Sequence, residues 1–285
     1  MSKYETTKDG LVKDTETGAT GVFRTVGGRR IFIKEGQDLA TAMKESGKFS
    51  KKEIEKPNED NAIKNLKMKD MSEEDKKVLY EYTEGWYNQT NVALRNGENL
   101  ESSKQIIDLD KAISKGYIEK ETLYRTANLN ELGIKINEDD IWDKCGKNHE
   151  QFTKGLKYPS SEYNDAFYKS YIQTNKEVYE EIKDKIKINN VIEDKAYKST
   201  SKSEEIITKY QSIYIDKKNG KIPSPTQALI KYNIVSKLNA IDIGESSYVK
   251  DQKEVLIQRN TKSKITKIEY SDKYNCTYIE MDLYK

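Results

Sequence analysis

The sequence predicts an α+β chain in which helices come first and strands follow. Three observations carry this. Apolar residues recur at helical spacing in blocks before residue 187, short apolar runs broken by polar turns fill the remainder, and the two patterns do not alternate as βαβ units would. Composition agrees with a folded globule. Only 35% of the 285 residues are apolar, yet 20 Tyr add side chains that bury a ring while keeping a hydroxyl in contact with water or a partner.

The first 60 residues stand apart, with a polar, Thr- and Gly-containing start, a Gly27-Gly28 turn signal and a short strand over 30–34. A helix follows over 38–45 with Asp38 as its cap, and Lys56-Pro57-Asn58-Glu59-Asp60 has linker composition. The expected domains are therefore 1–60, an appendage, and 61–285. From Ser72 the pattern turns helical, with Ser72 and Asp75 as a capping-box variant and Val78, Leu79, Tyr82, Trp86 and Leu94 on one face. A second helix is expected over 102–114, an extended segment over 121–127, and a long helix over 161–186. The strand candidates then run 196–200, 212–216, 230–236, 240–243, 254–258, 264–270 and 277–283.

Charge excludes some functions. The 50 Lys and Arg nearly cancel 48 Asp and Glu, leaving +2, so no nucleic-acid scaffold is expected. Cys145 and Cys276 are far apart and His149 is the only histidine, so neither a metal site nor a Ser-His-Asp triad is indicated. Lys147-Asn148 and Glu150 around His149 suggest an exposed loop. The chain as given carries no secretory signal and no apolar run of membrane-spanning length, and no membrane partner is expected.

Three short motifs carry chemistry. Gln252-Lys253-Glu254 places two polar side chains on one face of a strand, with Lys253 pointing away. Ser199-Thr200-Ser201 follows Ala196-Tyr197, and Leu123-Tyr124-Arg125 ends an extended run. Breaking the bond between a sugar and a positively charged base builds positive charge on the sugar, which a carboxylate stabilises. A bidentate arginine suits a pyrophosphate. Taken singly, Arg125 reads as a surface arginine and Ser-Thr-Ser as a loop.

Together, in this order, they resemble the Arg-Ser-Glu class of mono-ADP-ribosyltransferases, especially clostridial toxin enzymatic domains and their phage relatives, over about 72–285. The likeness extends from Ile241-Asp242-Ile243-Gly244 to Arg259-Asn260-Thr261-Lys262, and to the stretch from Tyr80 to Arg95. It implies two packed, mainly antiparallel sheets behind a helical front, and NAD as co-substrate with no metal. By the resemblance Glu254 is the catalytic carboxylate, Ser199 holds it and the ribose, Gln252 orients the acceptor and Arg125 binds the dinucleotide. Thr200 and Ser201 support the strand, and Tyr82 and Asn91 approach the NAD phosphates and adenosine. Tyr210 is a candidate for stacking on nicotinamide, with core packing as the alternative, and Tyr248 a candidate for contacting a protein substrate, with turn packing as its alternative. Lys198 departs from the apolar residue the family pattern has before Ser-Thr-Ser.

The resemblance thus implies transfer of ADP-ribose to a target protein side chain. Relatives with Gln-x-Glu include those that modify asparagine, so a non-arginine acceptor is expected, with NAD hydrolysis as a side activity. Residues 26–49 resemble a segment of phage minor head proteins. Phage head proteins and a toxin delivery component are accordingly the other partners considered, with the protein cytoplasmic or carried on a phage particle into a host cell. The alternative function is a head-associated structural protein with an inactive transferase region.

Overall fold

The computed structural model describes residues 4–6, 12–26, 29–35, 37, 39–46, 62–100, 102–206, 212–244 and 253–285. The chain divides into two compact units, Met1–Ala62 and Ile63–Lys285.

In the first unit β1 (Tyr4–Thr6), β2 (Val12–Asp14), β3 (Thr20–Val26) and β4 (Arg29–Lys34) form an antiparallel sheet in sequential order. Val26 pairs with Arg29 on either side of the expected Gly27-Gly28 turn, which lies outside the described residues, as do Asp38 and the linker at 56–60. Helix α1 (Leu39–Ser46) packs Ala42 and Met43 against Ile31 and Ile33 of β4.

The second unit begins with β5 (Ile63–Lys64) and a helical front. Helix α2 (Glu73–Glu81) starts where the capping signal places it: the Ser72 hydroxyl accepts from the Asp75 amide at 3.3 Å and donates to the Asp75 carboxylate at 2.7 Å. The single helix expected from residue 72 to 94 is interrupted by a π-helical turn, Tyr82–Trp86, before α3 (Tyr87–Arg95). The extra residue in that turn lets Tyr82 point fully inward, where its ring meets Trp86, Tyr87 and Tyr197 edge-on. Helix α4 (Lys104–Ile113) buries Ile106, Leu109, Ala112 and Ile113 along one stripe.

Two further helices, α5 (Glu138–Thr153) and α6 (Ser161–Ile182), pack on each other. The expectation of a loop around His149 is incorrect. His149 lies inside α5, its ring against Phe167 with centroids 4.7 Å apart and its Nε2 2.7 Å from the Tyr163 hydroxyl. Helix α5 escapes periodicity because only Ile141 and Cys145 among its apolar residues are buried, although Asn137 caps it on the Asp139 amide.

The strands are β6 (Gly116–Ile118), β7 (Thr122–Asn128), β8 (Val191–Asp194), β9 (Lys198–Ser201), β10 (Ser212–Asp216), β11 (Gly220–Pro223), β12 (Gln227–Ile234), β13 (Leu238–Asp242), β14 (Glu254–Ile257), β15 (Thr261–Ser271) and β16 (Cys276–Tyr284). β10 and β11 form a separate hairpin. The other strands of this unit join in the order β5-β6-β13-β14-β9-β7-β12-β16-β15-β8, antiparallel except at β5–β6 and β12–β16. In the centre, β9 touches β7 through one pair, Ser201 with Tyr124. The order therefore falls into two five-stranded leaves hinged at that pair, which are the two sheets the sequence predicts.

Alternation assigns each face. Leu238, Ala240, Val255 and Ile257 of the first leaf share one core with Leu123, Ala127, Ile230, Tyr232, Ile279 and Met281 of the second. The opposite face of the first leaf, Ile241 and Leu256, packs on Leu79, Tyr82, Leu94 and Leu109 of the helical front. Close strand approach constrains β6. A Cβ on Gly116 would lie 2.5 Å from the Ala240 carbonyl oxygen and 2.8 Å from Leu66 Cβ. Gly116→Ala is expected to lower unfolding free energy by about 2 kcal/mol, read from urea denaturation monitored by Trp fluorescence.

Candidate active site

The site grows from the β9–β14 pairing. Glu254 opposes Ser201 and Leu256 opposes Ser199, so these four side chains share the face turned to the helical front, with Ser199 diagonal to Glu254. Across that diagonal the Ser199 hydroxyl donates to Glu254 Oε1. Thr200 faces the other way and donates to the Val255 carbonyl at 2.7 Å, bracing the two strands. Ser201 accepts from the Ser203 amide at 2.9 Å, closing the turn after β9. Glu254 is buried and is the first residue of its strand, not the third residue of a stranded Gln252-Lys253-Glu254 as expected: Lys253 has a left-handed φ of 48°, which ends the alternation there, and its carbonyl accepts from the Lys202 amide. Gln252, Tyr248 and Tyr210 lie outside the described residues.

Arg125 enters from the second leaf. It sits in β7 opposite Ile230, next to the Tyr124–Ser201 hinge pair, on the inward face with Leu123 and Ala127. Its Nη2 lies 2.8 Å from Glu131 Oε2 in the short 3-10 turn after β7. Burial opposes its charge, but the carboxylates of Glu131 and Asp194 outweigh that and hold it above the ordinary arginine value.

Tyr82 and Asn91, expected to meet NAD, are engaged with the protein itself. Asn91 donates to the Tyr82 hydroxyl at 2.9 Å and accepts from the Tyr197 amide at 3.2 Å, tying α3 to the residue that leads into β9. Burial raises the Tyr82 phenol, against the hydrogen bond from Asn91.

Four residues that motif reading does not single out for the site complete it. Arg95, the last residue of α3, has Nη1 3.3 Å from the same Glu131 oxygen that pairs with Arg125 and Nε 3.3 Å from Asp194 Oδ1. Asp194 Oδ2 in turn takes Lys198 Nζ at 2.8 Å. Burial pushes Asp194 up, but Lys198 and Arg95 outweigh it and bring it down to about 2. The signal for Arg95 was its place one residue after Leu94 at the end of an amphipathic helix. Glu131 and Asp194 had none, being brought in by the fold. A small hollow opens here, lined by Arg125, Glu131, Asp194, Lys198, Tyr232 and Ser263.

In chemical terms, the unit holds a buried carboxylate fixed by a hydroxyl and two guanidinium groups that share one carboxylate. Residues 51–285 match the family described as ADP-ribosyltransferase exoenzyme. The chain belongs to that family. ADP-ribosyltransferases use NAD as co-substrate, and the chain is similar to several solved structures, among them the following three. C3stau2 from S. aureus, solved with NAD, is 18% identical, covering 76% of this chain and 89% of its own at a TM-score of 0.46. The Clostridium limosum C3 exoenzyme is 19% identical, over 80% and 100%, TM-score 0.47. Plx2a, an ADP-ribosyltransferase toxin from Paenibacillus larvae, is 20% identical, over 75% and 88%, TM-score 0.47. No curated protein matches the chain. Among the described residues no cluster of His, Cys, Asp and Glu could hold a metal ion, and no helix is long and apolar enough to cross a membrane.

Asn91→Ala removes one bond to a buried phenol and one to a backbone amide. It is expected to cost about 1–3 kcal/mol in urea denaturation, with the loss largest for the helical front in amide hydrogen exchange.

Proposed function

We propose that this ADP-ribosyltransferase cleaves the nicotinamide–ribose bond of NAD and passes ADP-ribose to a protein side chain other than arginine, with Glu254 as the catalytic carboxylate. The observation that carries the reading is the Ser199–Glu254 bond across β9 and β14, with the paired arginines in the same unit.

Glu254 stabilises the positive charge that develops on the ribose as the bond to nicotinamide breaks. Ser199, as donor, holds the carboxylate in one rotamer. Arg125 and Arg95 present guanidinium forks suited to the two phosphates. Their shared Glu131 and the Lys198–Asp194 pair leave the group with three cations and two carboxylates, a surplus of one positive charge that fits a dianionic pyrophosphate.

The acceptor attacks the sugar carbon vacated by nicotinamide and releases its proton to solvent water. Gln252, two residues before Glu254, offers an amide that donates and accepts hydrogen bonds but cannot take up that proton as a carboxylate can. This favours an amide acceptor such as asparagine over a guanidinium that needs deprotonation. Water entering the same position accounts for NAD hydrolysis as a side activity.

Nicotinamide release, followed by chromatography, tests the first part. Glu254→Gln keeps the size of the side chain and removes its charge, and is expected to lower kcat by roughly 10²- to 10³-fold with little change in NAD affinity. Unchanged release would refute the assignment. Acceptor choice is tested by mass spectrometry of modified peptides: Gln252→Glu is expected to shift labelling toward arginine, and an untouched acceptor pattern would contradict the role of Gln252.

A further inference from the structure

Lys198 is among the largest fully buried side chains of the chain, with 1% of its surface exposed. It opposes Ile257 on the face of β9 that joins the core between the two leaves. A buried ammonium needs a partner, and the partner is Asp194, at 2.8 Å. Asp194 is already committed twice, to Arg95 and to the Ala196 amide at 3.0 Å. The charged and titratable groups around the hollow that Lys198 lines are Asp194, Arg125, Glu131 and Tyr232, and Arg95 reaches Lys198 through Asp194.

We propose that Lys198 is a positioning residue for the dinucleotide: it takes a share of Asp194 that would otherwise fall to Arg95, and it supplies the one positive charge by which the cluster attracts the pyrophosphate. The inference rests on the NAD-binding reading above. It explains why a lysine stands where the family pattern has an apolar residue, and why burial tolerates it.

The proton on Lys198 then sets the affinity of the site. Burial lowers the ammonium to about 8 despite Asp194, whereas Asp194 is held near 2, Arg125 is raised, and burial lifts the Tyr232 phenol to about 12. Below pH 8 the cluster carries three cations and two carboxylates; above it Lys198 is neutral and the surplus is gone. NAD binding therefore weakens as pH rises through 8. A unit charge at this range, partly shielded by protein and solvent, is worth on the order of tenfold in affinity.

The experiment is calorimetric titration of the full chain with NAD between pH 6.5 and 9.5, using wild type, Lys198→Met and Lys198→Arg. Wild type is expected to lose affinity about tenfold across the range. Lys198→Met, whose apolar chain suits the core, is expected to bind about tenfold more weakly at pH 7, to show no dependence on pH, and to meet wild type at pH 9.5. Lys198→Arg keeps its charge and is expected to hold the pH 7 affinity to pH 9.5. A flat wild-type profile overturns the inference, as does a Lys198→Met profile that parallels wild type. Should wild type bind no NAD at any pH, the functional reading fails together with it, a result distinct from either of those.

Discussion

The pairing of β9 with β14 is the constraint on which the site depends. Val255 and Ile257 belong to the core between the leaves, while Leu256 belongs to the core under the helices. Slipping this pair by one residue would move each of those side chains to the wrong face, at a cost of several buried aliphatic groups. Two cores therefore hold Glu254 on the helix-facing side, and the Ser199 hydroxyl finds it at the diagonal position. Burial of the carboxylate and its fixation by a hydroxyl are two consequences of one register.

The second constraint is the hinge between the leaves. Because β7 meets β9 only through Tyr124 and Ser201, the residue after Tyr124 is carried into the space where the leaves part. That residue is Arg125. The helical front brings Arg95 to the same place from the other side, the π-turn at Tyr82–Trp86 having set the phase of α3. Glu131 and Asp194 then act as the internal counter-charges that make two guanidinium groups and a buried ammonium tolerable together.

What could be read from the sequence and what could not divides along the range of the interactions. Ser199 and Glu254 were legible because strand alternation is local and two motifs in order name their strands. Arg125 was named by its motif, although it stands in the middle of β7 and not at the end of the strand as expected. The ion-pair chain was not, since Arg95 and Asp194 are 99 residues apart and only the closed fold joins them. Lys198 shows the difference most directly: as a sequence feature it is a departure from pattern, and only its burial against Asp194 gives it a chemical sense. Helix α5 was missed for a different reason, its inward face being too thinly apolar to register, which left His149 without a helix to sit on. The family match over residues 51–285 names the class of chemistry.

Whether Ser199 and Glu254 act as one functional unit is measured directly by a double-mutant cycle on nicotinamide release at saturating NAD. Ser199→Ala is expected to slow release in the background that keeps Glu254 and to add almost nothing once Glu254 is glutamine, so that the double variant matches Glu254→Gln alone. Additive effects, with the double variant slower by the product of the two single losses, would mean that Ser199 acts independently of the carboxylate and would contradict the central claim.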